Sequence, residues 1–402
     1  MTTSQATVPA HVPAHLVHEF DLYHPAGVEQ DFHLALKRLH DPGVPDIFWT
    51  PCNGGHWVAA RGQAMRHIFQ DHVHFSNAKM TVPKANNPSQ PLLPINADPP
   101  AHAAYRNLIA PAFAPRAVAA CEQEARELSI SLIDGFRADG GCEFVSQFAA
   151  FLPIGIFMHM VDLPAKDRLY LMGLADEMQR LGRRPKDEVI GEVMGYLDGV
   201  IRTRREQPGA DLISQIVHAR IDGRTLDHGE VLRMCTLLLF GGLDTVKSML
   251  GFIANFLARH PAHRRELIDA PELLPNAVEE LLRRFGLANP GRIVAREHEY
   301  AGVRFLQGDM IILPTCLHGL DEREHTDPLA VNFHRPMPIV HSTFGNGPHR
   351  CPGAILARIE ISVFLREWLA RIPDFQVAPG ATPVIRAGVN GCFETLPLTW
   401  AA

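Results

Sequence analysis

The sequence predicts a mainly α-helical fold with a minor β-rich region, and three observations lead to this expectation. Long segments with apolar residues at helical spacing end near Pro or Gly, and the clearest are residues 230–259 and 354–371. Strand-like patterns are short and lie toward the two ends of the chain. The composition, 46% hydrophobic and 20% charged over 402 residues, is that of a globular protein with ample material for a large core.

The N-terminal half is predicted to begin irregularly and to continue as helices. Residues 1–30 contain several prolines and carry no signal-peptide pattern. A short helix is expected near residues 32–40. Two strands are expected within residues 47–60, on either side of a turn at Asn53-Gly54-Gly55. After a polar loop, the expected helices lie at about 101–108, 117–137, 154–160 and 187–206.

The C-terminal half contains the longest helical candidate, residues 230–259, which ends before Pro261. It is apolar nearly all round between Met234 and Leu243, which predicts a helix inside a large protein. The other elements expected are a helix at 275–285 that Gly286 stops, a β-hairpin over 299–314 that turns at Gln307-Gly308-Asp309, and a last helix at 354–371.

Charge and residue usage exclude several classes of protein. A formal net charge of −6 gives none of the basic excess of a nucleic-acid-binding protein. Since no run of about 18 consecutive apolar residues occurs, a membrane span is not expected. Seven scattered cysteines, an odd number without close pairs, favour reduced thiols and a cytoplasmic location. The 22 histidines supply no His-x-x-x-His pair on a helix with a nearby third ligand, so no metal site of that kind is expected.

The most informative segment is Phe344-Gly345-Asn346-Gly347-Pro348-His349-Arg350-Cys351-Pro352-Gly353. Its glycines let the backbone turn tightly and bring N–H groups near the Cys351 sulfur. Those groups, with the positive end of the helix that begins near Ala354, favour thiolate over thiol. A thiolate held in this way suits a soft ligand role, and one such role is the proximal ligand of haem iron. The alternative is a small buried residue in a turn.

A second unusual segment, Gly241-Gly242-Leu243-Asp244-Thr245, interrupts the central helix. Each glycine in a helix interior costs about 1 kcal/mol relative to alanine, but it lets a ligand approach the backbone. The Thr245 hydroxyl is expected to bond back toward the Gly241 carbonyl and to bend the helix. Asp244 is a charged group in an apolar stretch, where burial is costly unless hydrogen bonds satisfy it. A kink in a solvated helix is the alternative interpretation.

With its spacing written as F-G-x-G-x-[HR]-x-C-x-G, the cysteine segment resembles the haem-binding loop of the cytochrome P450 family at every position. The resemblance extends from about residue 75 to residue 400 and is nearest to the bacterial camphor-hydroxylase branch. It implies the cytochrome P450 fold in a single domain over residues 1–402, haem b as the cofactor, and Cys351 as the ligand of its iron.

The resemblance also implies roles for residues away from the cysteine. Asp244 and Thr245 match an acid–alcohol pair that delivers protons while dioxygen is activated. Glu280-Leu281-Leu282-Arg283 matches a structural E-x-x-R motif that Arg335 would complete, although that motif alone is more often a surface pair. The residues implied to contact the haem or its propionates are His102, Arg106, Gly241, Arg292, Phe344, His349 and Gly353.

By the same resemblance, the substrate pocket is implied to include Thr81, Gln90, Leu237, Phe240, Ala288, Val389 and Asn390, unless several of these are plain core residues. Gln90 stands where the camphor enzyme has a tyrosine that holds the ketone oxygen. Thr81 replaces an aromatic residue, and Phe240 replaces a smaller one. The expected pocket is therefore apolar but reshaped, and a compact bicyclic monoterpenoid such as 1,8-cineole is favoured over camphor. Gln90 or Asn390 is expected to donate one hydrogen bond to a substrate oxygen.

The implied activity is hydroxylation of an unactivated C–H bond by a haem-thiolate monooxygenase that uses O2. No flavin or iron–sulfur motif occurs in the sequence, so electrons are expected from a [2Fe-2S] ferredoxin and its NADH-dependent reductase. Arg66, Arg106 and Arg350 are candidates for a basic docking patch, unless they are simply solvated. Two alternatives are a peroxygenase, which usually lacks the acid–alcohol pair, and a non-catalytic haem sensor, which usually carries a signalling domain.

Overall fold

The computed structural model describes residues 5–179 and 184–401; the first four residues of the predicted irregular segment lie outside this part. Helices dominate the described residues and the strands are short, which confirms the mainly α-helical fold class. The helices are α1 Phe32–Lys37, α2 Gly62–Gln70, α3 Ala101–Ile109, α4 Pro115–Phe136, α5 Phe151–Met160, α6 Arg168–Gln179, α7 Lys186–Glu206, α8 Leu212–Val217, α9 His228–Leu243, α10 Thr245–Arg259, α11 Pro261–Asp269, α12 Leu274–Arg284, α13 Thr315–Gly319 and α14 Ala354–Arg371.

The strands are β1 Ile47–Thr50, β2 His56–Ala59, β3 Phe75–Ser76, β4 Gly141–Glu143, β5 Arg220–Ile221, β6 Arg224–Thr225, β7 Gly291–Val294, β8 His298–Tyr300, β9 Val303–Phe305, β10 Met310–Ile312, β11 Gln376–Val377, β12 Val384–Arg386, β13 Cys392–Thr395 and β14 Pro397–Thr399.

The largest sheet has five strands in the order β1-β2-β10-β7-β3. β1 and β2, which lie on either side of the predicted turn, are antiparallel, with Ile47 opposite Ala59. β10 pairs with β2 in parallel and with β7 in antiparallel orientation, so Ile311 lies beside both Trp57 and Arg292. The sheet therefore places β7, which carries a candidate haem contact, next to strands from the N-terminal region.

The predicted hairpin over residues 299–314 is wrong in its turn and in its partner strand. β8 and β9 form the hairpin, and it turns at Ala301 and Gly302, whose φ angles are 51° and 77°. β10 leaves this hairpin for the large sheet. The reason is burial: every residue of β10 is buried, which a strand between two others satisfies, whereas the β8–β9 ribbon keeps exposed positions.

The predicted central helix consists of two helices, α9 and α10, which meet at Asp244. α9 begins two residues earlier than predicted because Asp227 and Glu230 form a capping box. The Asp227 side chain accepts the Glu230 N–H at 2.8 Å, and the Glu230 side chain accepts the Asp227 N–H at 2.7 Å. The interruption at residues 241–245 is therefore a change of helix.

Two hydrophobic clusters fill the interior. The larger one joins the five-stranded sheet to α4, α10, α12 and α14, and Trp368 on α14 is fully buried within it. The smaller one is built from α5, α7, α8 and α9. Because α9 belongs to one cluster and α10 to the other, the junction at Asp244 lies where the two cores meet.

One helical stretch in the described part of the chain, His228–Arg259, is long and apolar enough to match a membrane span. It contains both α9 and α10, and 71% of its most apolar window is buried inside the protein. A helix in the core of a large globular protein has the same length and composition, because apolar neighbours surround it on all sides.

Candidate active site

Cys351 lies just before α14, in a loop whose turns require glycine. Gly345 and Gly347 have φ angles of 66° and 68°, and a Cβ atom on Gly347 would lie 2.4 Å from the Phe69 carbonyl oxygen of α2. The Cys351 N–H donates to the Phe344 carbonyl at 2.9 Å. The backbone therefore fixes the position of the cysteine, and α2 packs directly against its loop.

Two opposing effects act on the ionisation of Cys351. Burial raises the pKa of the thiol, and this outweighs the Gly353 N–H and the guanidinium groups of Arg106, Arg350 and Arg358, which lower it. The side chain is nevertheless exposed, so it opens on to a space that protein groups enclose. Since a bound metal ion deprotonates a coordinating thiol, the thiolate would come with the metal.

A stack of charged and aromatic side chains supports the loop from α12 and α14. The Arg358 guanidinium lies 4.7 Å from the centre of the Phe344 ring, and its Nη2 donates to Glu279 at 2.9 Å. Burial alone would raise the pKa of Glu279, but hydrogen bonds from His341 and Arg358 lower it to about 2. Glu279 is therefore ionised and holds Arg358 against Phe344. The sequence did not predict the role of Arg358 or of Glu279.

Arg292, predicted to face a propionate, is a buried cation on β7. Its Nη1 donates to the Gly291 carbonyl at 2.8 Å, and its guanidinium lies 5.0 Å from the centre of the Phe69 ring. Burial lowers its pKa to about 10. The charge of Asp98 counteracts this shift only in part, although buried charges are normally paired. A carboxylate from outside the chain fits this environment.

Three more predicted haem contacts lie together near Cys351. The rings of His102 and His349 are 4.1 Å apart, and Arg106 donates to the Arg350 carbonyl at 2.6 Å. Burial lowers the pKa of both histidines, that of His349 to about 4. Together with Arg292, these residues form a set of donors. Carboxylates from outside the chain, such as the haem propionates that the resemblance implies, are ligands that such donors bind.

The junction of α9 and α10 has an open side at Gly241. A Cβ atom there would meet nothing within 4 Å, whereas a Cβ atom on Gly242 would lie 3.0 Å from the Phe157 ring. The Thr245 hydroxyl donates to the Gly241 carbonyl at 3.3 Å, the bond that the sequence predicted. One glycine thus lets α9 pack on α5, and the other leaves the backbone open to a ligand.

Asp244 is buried and is held from two sides. Lys247, one turn along α10, lies with its Nζ 2.6 Å from Asp244 Oδ1, and the Asn390 amide lies 3.4 Å from Oδ2. Burial would lower the pKa of Lys247, but the charge of Asp244 raises it above its ordinary value. The sequence prediction missed Lys247, although its i, i+3 spacing from Asp244 is a signal that such a pair forms.

Part of the predicted substrate set comes together through backbone contacts. Ala288 and Asn390 form an antiparallel bridge, and the Asn289 N–H donates to the Val389 carbonyl at 2.8 Å. Two further members, Leu237 and Phe240, lie on α9 in the smaller hydrophobic cluster. Because Asn390 also contacts Asp244, these strand ends are connected to the predicted proton donor.

Thr81 and Gln90 lie in the loop between β3 and α3. The Thr81 N–H donates to the Asn87 side chain at 3.1 Å, while its hydroxyl is buried and has no hydrogen-bond partner within the described ranges. Gln90 is exposed, next to Ser89, whose N–H donates to Asp187 at the start of α7. Of the two, Thr81 has the unsatisfied polar atom.

The E-x-x-R motif lies in the interior, and Arg335 joins it. Glu280 accepts two hydrogen bonds from Arg283, at 2.7 and 2.8 Å, and one from Arg335 at 2.9 Å. The Asn332 N–H adds a fourth at 2.9 Å. Burial would raise the pKa of Glu280, but these donors lower it. The network ties α12 to the chain segment that leads into the cysteine loop.

The predicted docking patch has one arginine that is already paired. Arg66 donates to Glu324 at 2.6 Å, whereas Arg350 is exposed and its carbonyl accepts from Arg106. The positive charge near the cysteine loop therefore comes mainly from Arg350 and Arg106.

Comparison with known proteins agrees with the geometry of the site around Cys351. The family model described as Cytochrome P450 matches residues 160–384. "Probable cytochrome P450 127A1" of Sinorhizobium fredii is 33% identical over 403 residues, which cover 98% of this chain and 97% of that protein. "Cytochrome P450(MEG)" of Priestia megaterium is 30% identical over 342 residues, 80% of this chain and 83% of its own.

Solved structures agree over almost the full length. The crystal structure of CYP101J2 is similar with a TM-score of 0.92 and 39% identity, and the match covers 99% of this chain and 100% of that one. The crystal structure of CYP101C1 gives the same TM-score and identity, with coverage of 98% and 100%.

Proposed function

This chain belongs to the cytochrome P450 family, and we propose that it hydroxylates an unactivated C–H bond of a compact bicyclic monoterpenoid, with Cys351 as the iron ligand. As a cytochrome P450 monooxygenase it is an oxidoreductase that binds haem b through a cysteine thiolate and uses O2, a substrate and redox partners. The observation that carries the assignment of the site is the glycine-built loop of Cys351, with the buried guanidinium of Arg292, whose pKa burial lowers, on the neighbouring sheet.

Haem b, when bound, supplies the oxidation chemistry, and the protein supplies ligation, orientation and protons. In this proposal Arg292, Arg106, His102 and His349 hold the two propionates, which would satisfy the buried guanidinium of Arg292. Cys351 would hold the iron as a thiolate ligand, the kind of ligand that suits the haem to activate dioxygen. Phe344 and Gly353 shape the loop, and Gly241 leaves the backbone of α9 open on the side of the cofactor.

Asp244 and Thr245 deliver protons in this proposal. The Thr245 hydroxyl is bonded to the Gly241 carbonyl by a long hydrogen bond of 3.3 Å, which it can exchange for a bond toward the pocket. The Asp244 carboxylate is adjacent along the chain, and Lys247 at 2.6 Å holds it in place. A carboxylate that accepts a proton on one side and passes it to a hydroxyl on the other is general acid–base catalysis.

The substrate class rests on the apolar character of the predicted pocket and on the resemblance to the camphor-hydroxylase branch. Leu237, Phe240, Ala288 and Val389 offer apolar surface, and such a pocket orients its ligand with few polar groups. Asn390 is engaged with Asp244, whereas the Thr81 hydroxyl has no partner among the described residues. Thr81 is therefore added to Asn390 and Gln90 as a possible donor to a substrate oxygen, such as the ether oxygen of 1,8-cineole.

Electrons are proposed to come from a [2Fe-2S] ferredoxin with an NADH-dependent reductase, which would approach the exposed Arg350. Since Arg66 is paired with Glu324, Arg350 and Arg106 carry most of the docking charge. Electron transfer from the ferredoxin should then slow as salt rises, because exposed charges are screened. A rate insensitive to ionic strength would exclude a charged dock. The cytoplasmic location and the single domain over residues 1–402 stay predictions.

The assignment of Cys351 is tested by the absorption of the dithionite-reduced, haem-loaded protein under carbon monoxide. The wild type should give the red-shifted band of thiolate coordination, and Cys351→Ser should lose it. Cys142→Ser, at a half-buried cysteine on β4, is the matched control and should keep the band. If Cys351→Ser kept the band, another residue would be the ligand.

The substrate class is tested by titrating terpenoids and following the spin-state shift of the Soret band. We expect 1,8-cineole to bind more tightly than camphor, and Gln90→Tyr to improve camphor binding. Camphor affinity that stays the same in Gln90→Tyr would show that Gln90 does not line the pocket. Turnover that is supported by peroxide but not by NADH with ferredoxin and reductase would favour a peroxygenase, and no turnover with either would favour a haem sensor.

A further inference from the structure

Away from Cys351, three side chains of the kind that bind transition metals meet at the C-terminal end of α2. His67 lies in the last turn of this helix, Asp71 follows its end, and His298 lies on β8. One ligand atom from each residue lies within 4.8 Å of the other two. No local pattern in the sequence indicates this cluster, because His298 is far from α2 along the chain.

Two of the three ligand atoms lack any other role. His67 Nε2 and His298 Nε2 are inaccessible to water and have no hydrogen-bond partner among the residues that the structure describes. The nearest carboxylate oxygen, Asp71 Oδ2, is 3.9 Å from His298 Nε2, which is too long for a hydrogen bond. Buried polar atoms are normally paired, so two unpaired nitrogens on rings whose centres lie 5.9 Å apart indicate a missing partner.

The third ligand is held in place by its own neighbour. The His74 N–H donates to Asp71 Oδ1 at 3.1 Å, and His74 Nδ1 lies 2.7 Å from Oδ2. Hydrogen bonds of this kind orient the carboxylate ligands of metal sites. The plane of the His67 ring is fixed in a similar way, because it stacks on Tyr300 at 3.9 Å.

We propose that His67, Asp71 and His298 bind one divalent transition-metal ion of the zinc type, at a site separate from the haem. Two imidazoles and a carboxylate are a common ligand set for such ions, and water would complete the tetrahedron. Ligand distances near 2.0–2.1 Å place neighbouring ligand atoms roughly 3.4 Å apart. The 3.9 Å between His298 and Asp71, and the separations of up to 4.8 Å among the three ligand atoms, therefore have to shrink when the ion binds.

A second cluster of similar composition already has its carboxylates paired with cations of the protein. His40, Asp321 and Glu322 also lie close together, but Arg61 donates to Asp321 at 3.0 Å and to Glu322 at 2.7 Å. Lys37 adds a second cation at Glu322. Positive charge inside the protein thus already satisfies those carboxylates, which leaves no place for a metal ion.

The position of the proposed ion gives it a structural effect. His67 and Asp71 flank Phe69, whose carbonyl packs on Gly347 and whose ring packs on Arg292. An ion that joins α2 to β8 therefore holds the helix that supports the cysteine loop. This effect on the haem rests on the proposed function, whereas binding of the ion itself does not.

The experiment is calorimetric titration of chelator-treated, haem-loaded protein with zinc sulfate. We expect one site that is at least tenfold weaker in His67→Ala, His298→Ala and Asp71→Asn than in the wild type. His24→Ala is the control, because His24 is exposed and lies 3.3 Å from a single aspartate, Asp21. The same samples should show a zinc-dependent rise in the melting temperature of the wild type that the three variants lack.

Two results would overturn the proposal: wild-type affinity in both histidine variants, or binding by the wild type that is no tighter than that of ordinary surface histidines. The carbon monoxide band of each variant shows that its fold is intact. Because zinc affinity is measured without substrate or redox partner, a failure here is distinct from a failure of the proposed hydroxylation. The effect on the cysteine loop is then tested by measuring the transfer of haem to an acceptor protein. This transfer should be slower when zinc is bound.

Discussion

The cysteine side and the helix side of the active site are held in opposite ways. Cys351 is fixed by backbone bonds and by a turn at Gly347 that has no room for a side chain. Asp244 and Thr245 are held by side chains, through hydrogen bonds of 3.3 and 3.4 Å and one lysine. On the proposed assignment, the difference teaches that the position of the metal ligand is fixed by backbone, whereas the proton donors are held by side chains that can exchange partners.

This contrast has a direct experimental meaning. Substitutions on the cysteine side should reduce the free energy of unfolding, because they disturb packed backbone and buried charge. Substitutions on the helix side should change the products of the reaction and leave stability nearly constant. Variants on the two sides therefore differ in whether they change stability or product formation.

Glu280→Gln should lower the free energy of unfolding by about 3–5 kcal/mol, because it leaves buried Arg283 without a charged partner. Denaturant unfolding of the haem-loaded protein measures the loss. The matched control is Glu297→Gln, which removes an exposed carboxylate paired with Arg304 and should cost less than about 1 kcal/mol. Equal losses in the two variants would show that the Glu280 network does not support the cysteine side.

Thr245→Ala should reduce alcohol formation about 10²-fold, the usual contribution of a positioned proton donor, while NADH oxidation continues and releases hydrogen peroxide. Its stability should change little, since it loses one long hydrogen bond and gains a better helix former. Alcohol, peroxide and NADH are measured in the same assay. Thr203→Ala on α7 removes an equivalent bond to the Gly199 carbonyl and should keep wild-type coupling. Unchanged coupling in Thr245→Ala would remove Thr245 from the mechanism.

Gly347→Ala should cost about 1–3 kcal/mol more than Gly380→Ala. Both glycines have positive φ, 68° and 78°, so the backbone strain of an added side chain is common to the pair. A Cβ atom at Gly380 meets nothing within 4 Å, whereas at Gly347 it would meet α2, which is overpacking. Unfolding of both variants gives the difference, and equal values would show that α2 can move away from the loop.

Asn390→Val should have the smallest effect, about a two- to threefold fall in coupling with little change in stability. It removes a single long hydrogen bond to Asp244, at the low end of the usual contribution of such bonds. Asn289→Val is the contrast, because the Asn289 amide donates to the Gly388 carbonyl at 2.7 Å and supports the backbone. Asn289→Val should lose stability, and a coupling loss confined to Asn289→Val would contradict the role of Asn390.

Local chemistry explains what the sequence could predict. The turns at Gly345 and Gly347 and the bond from Thr245 to Gly241 depend on residues close in the chain, so a pattern of neighbours carries them. The fold class follows from long helical patterns in the same way. The pairing of Arg335 with Glu280 joins distant segments, and only the family resemblance indicated it.

The features that were missed depend on distant partners or on burial. Phe69 contacts both Gly347 and Arg292, and no spacing relates these three positions. The hairpin at 299–314 was misplaced because the burial of β10 by two other strands is not visible in a local pattern.

The parallel pairing of β2 with β10 has a consequence for how the protein is made. The strand at residues 56–59 can pair with residues 310–312 only after those residues have been synthesised. The cysteine loop is synthesised a short interval after them. At the usual rate of translation, that interval is on the order of a few seconds. The scaffold and the ligand loop therefore reach completion nearly together, and haem capture belongs to the last stage of biosynthesis.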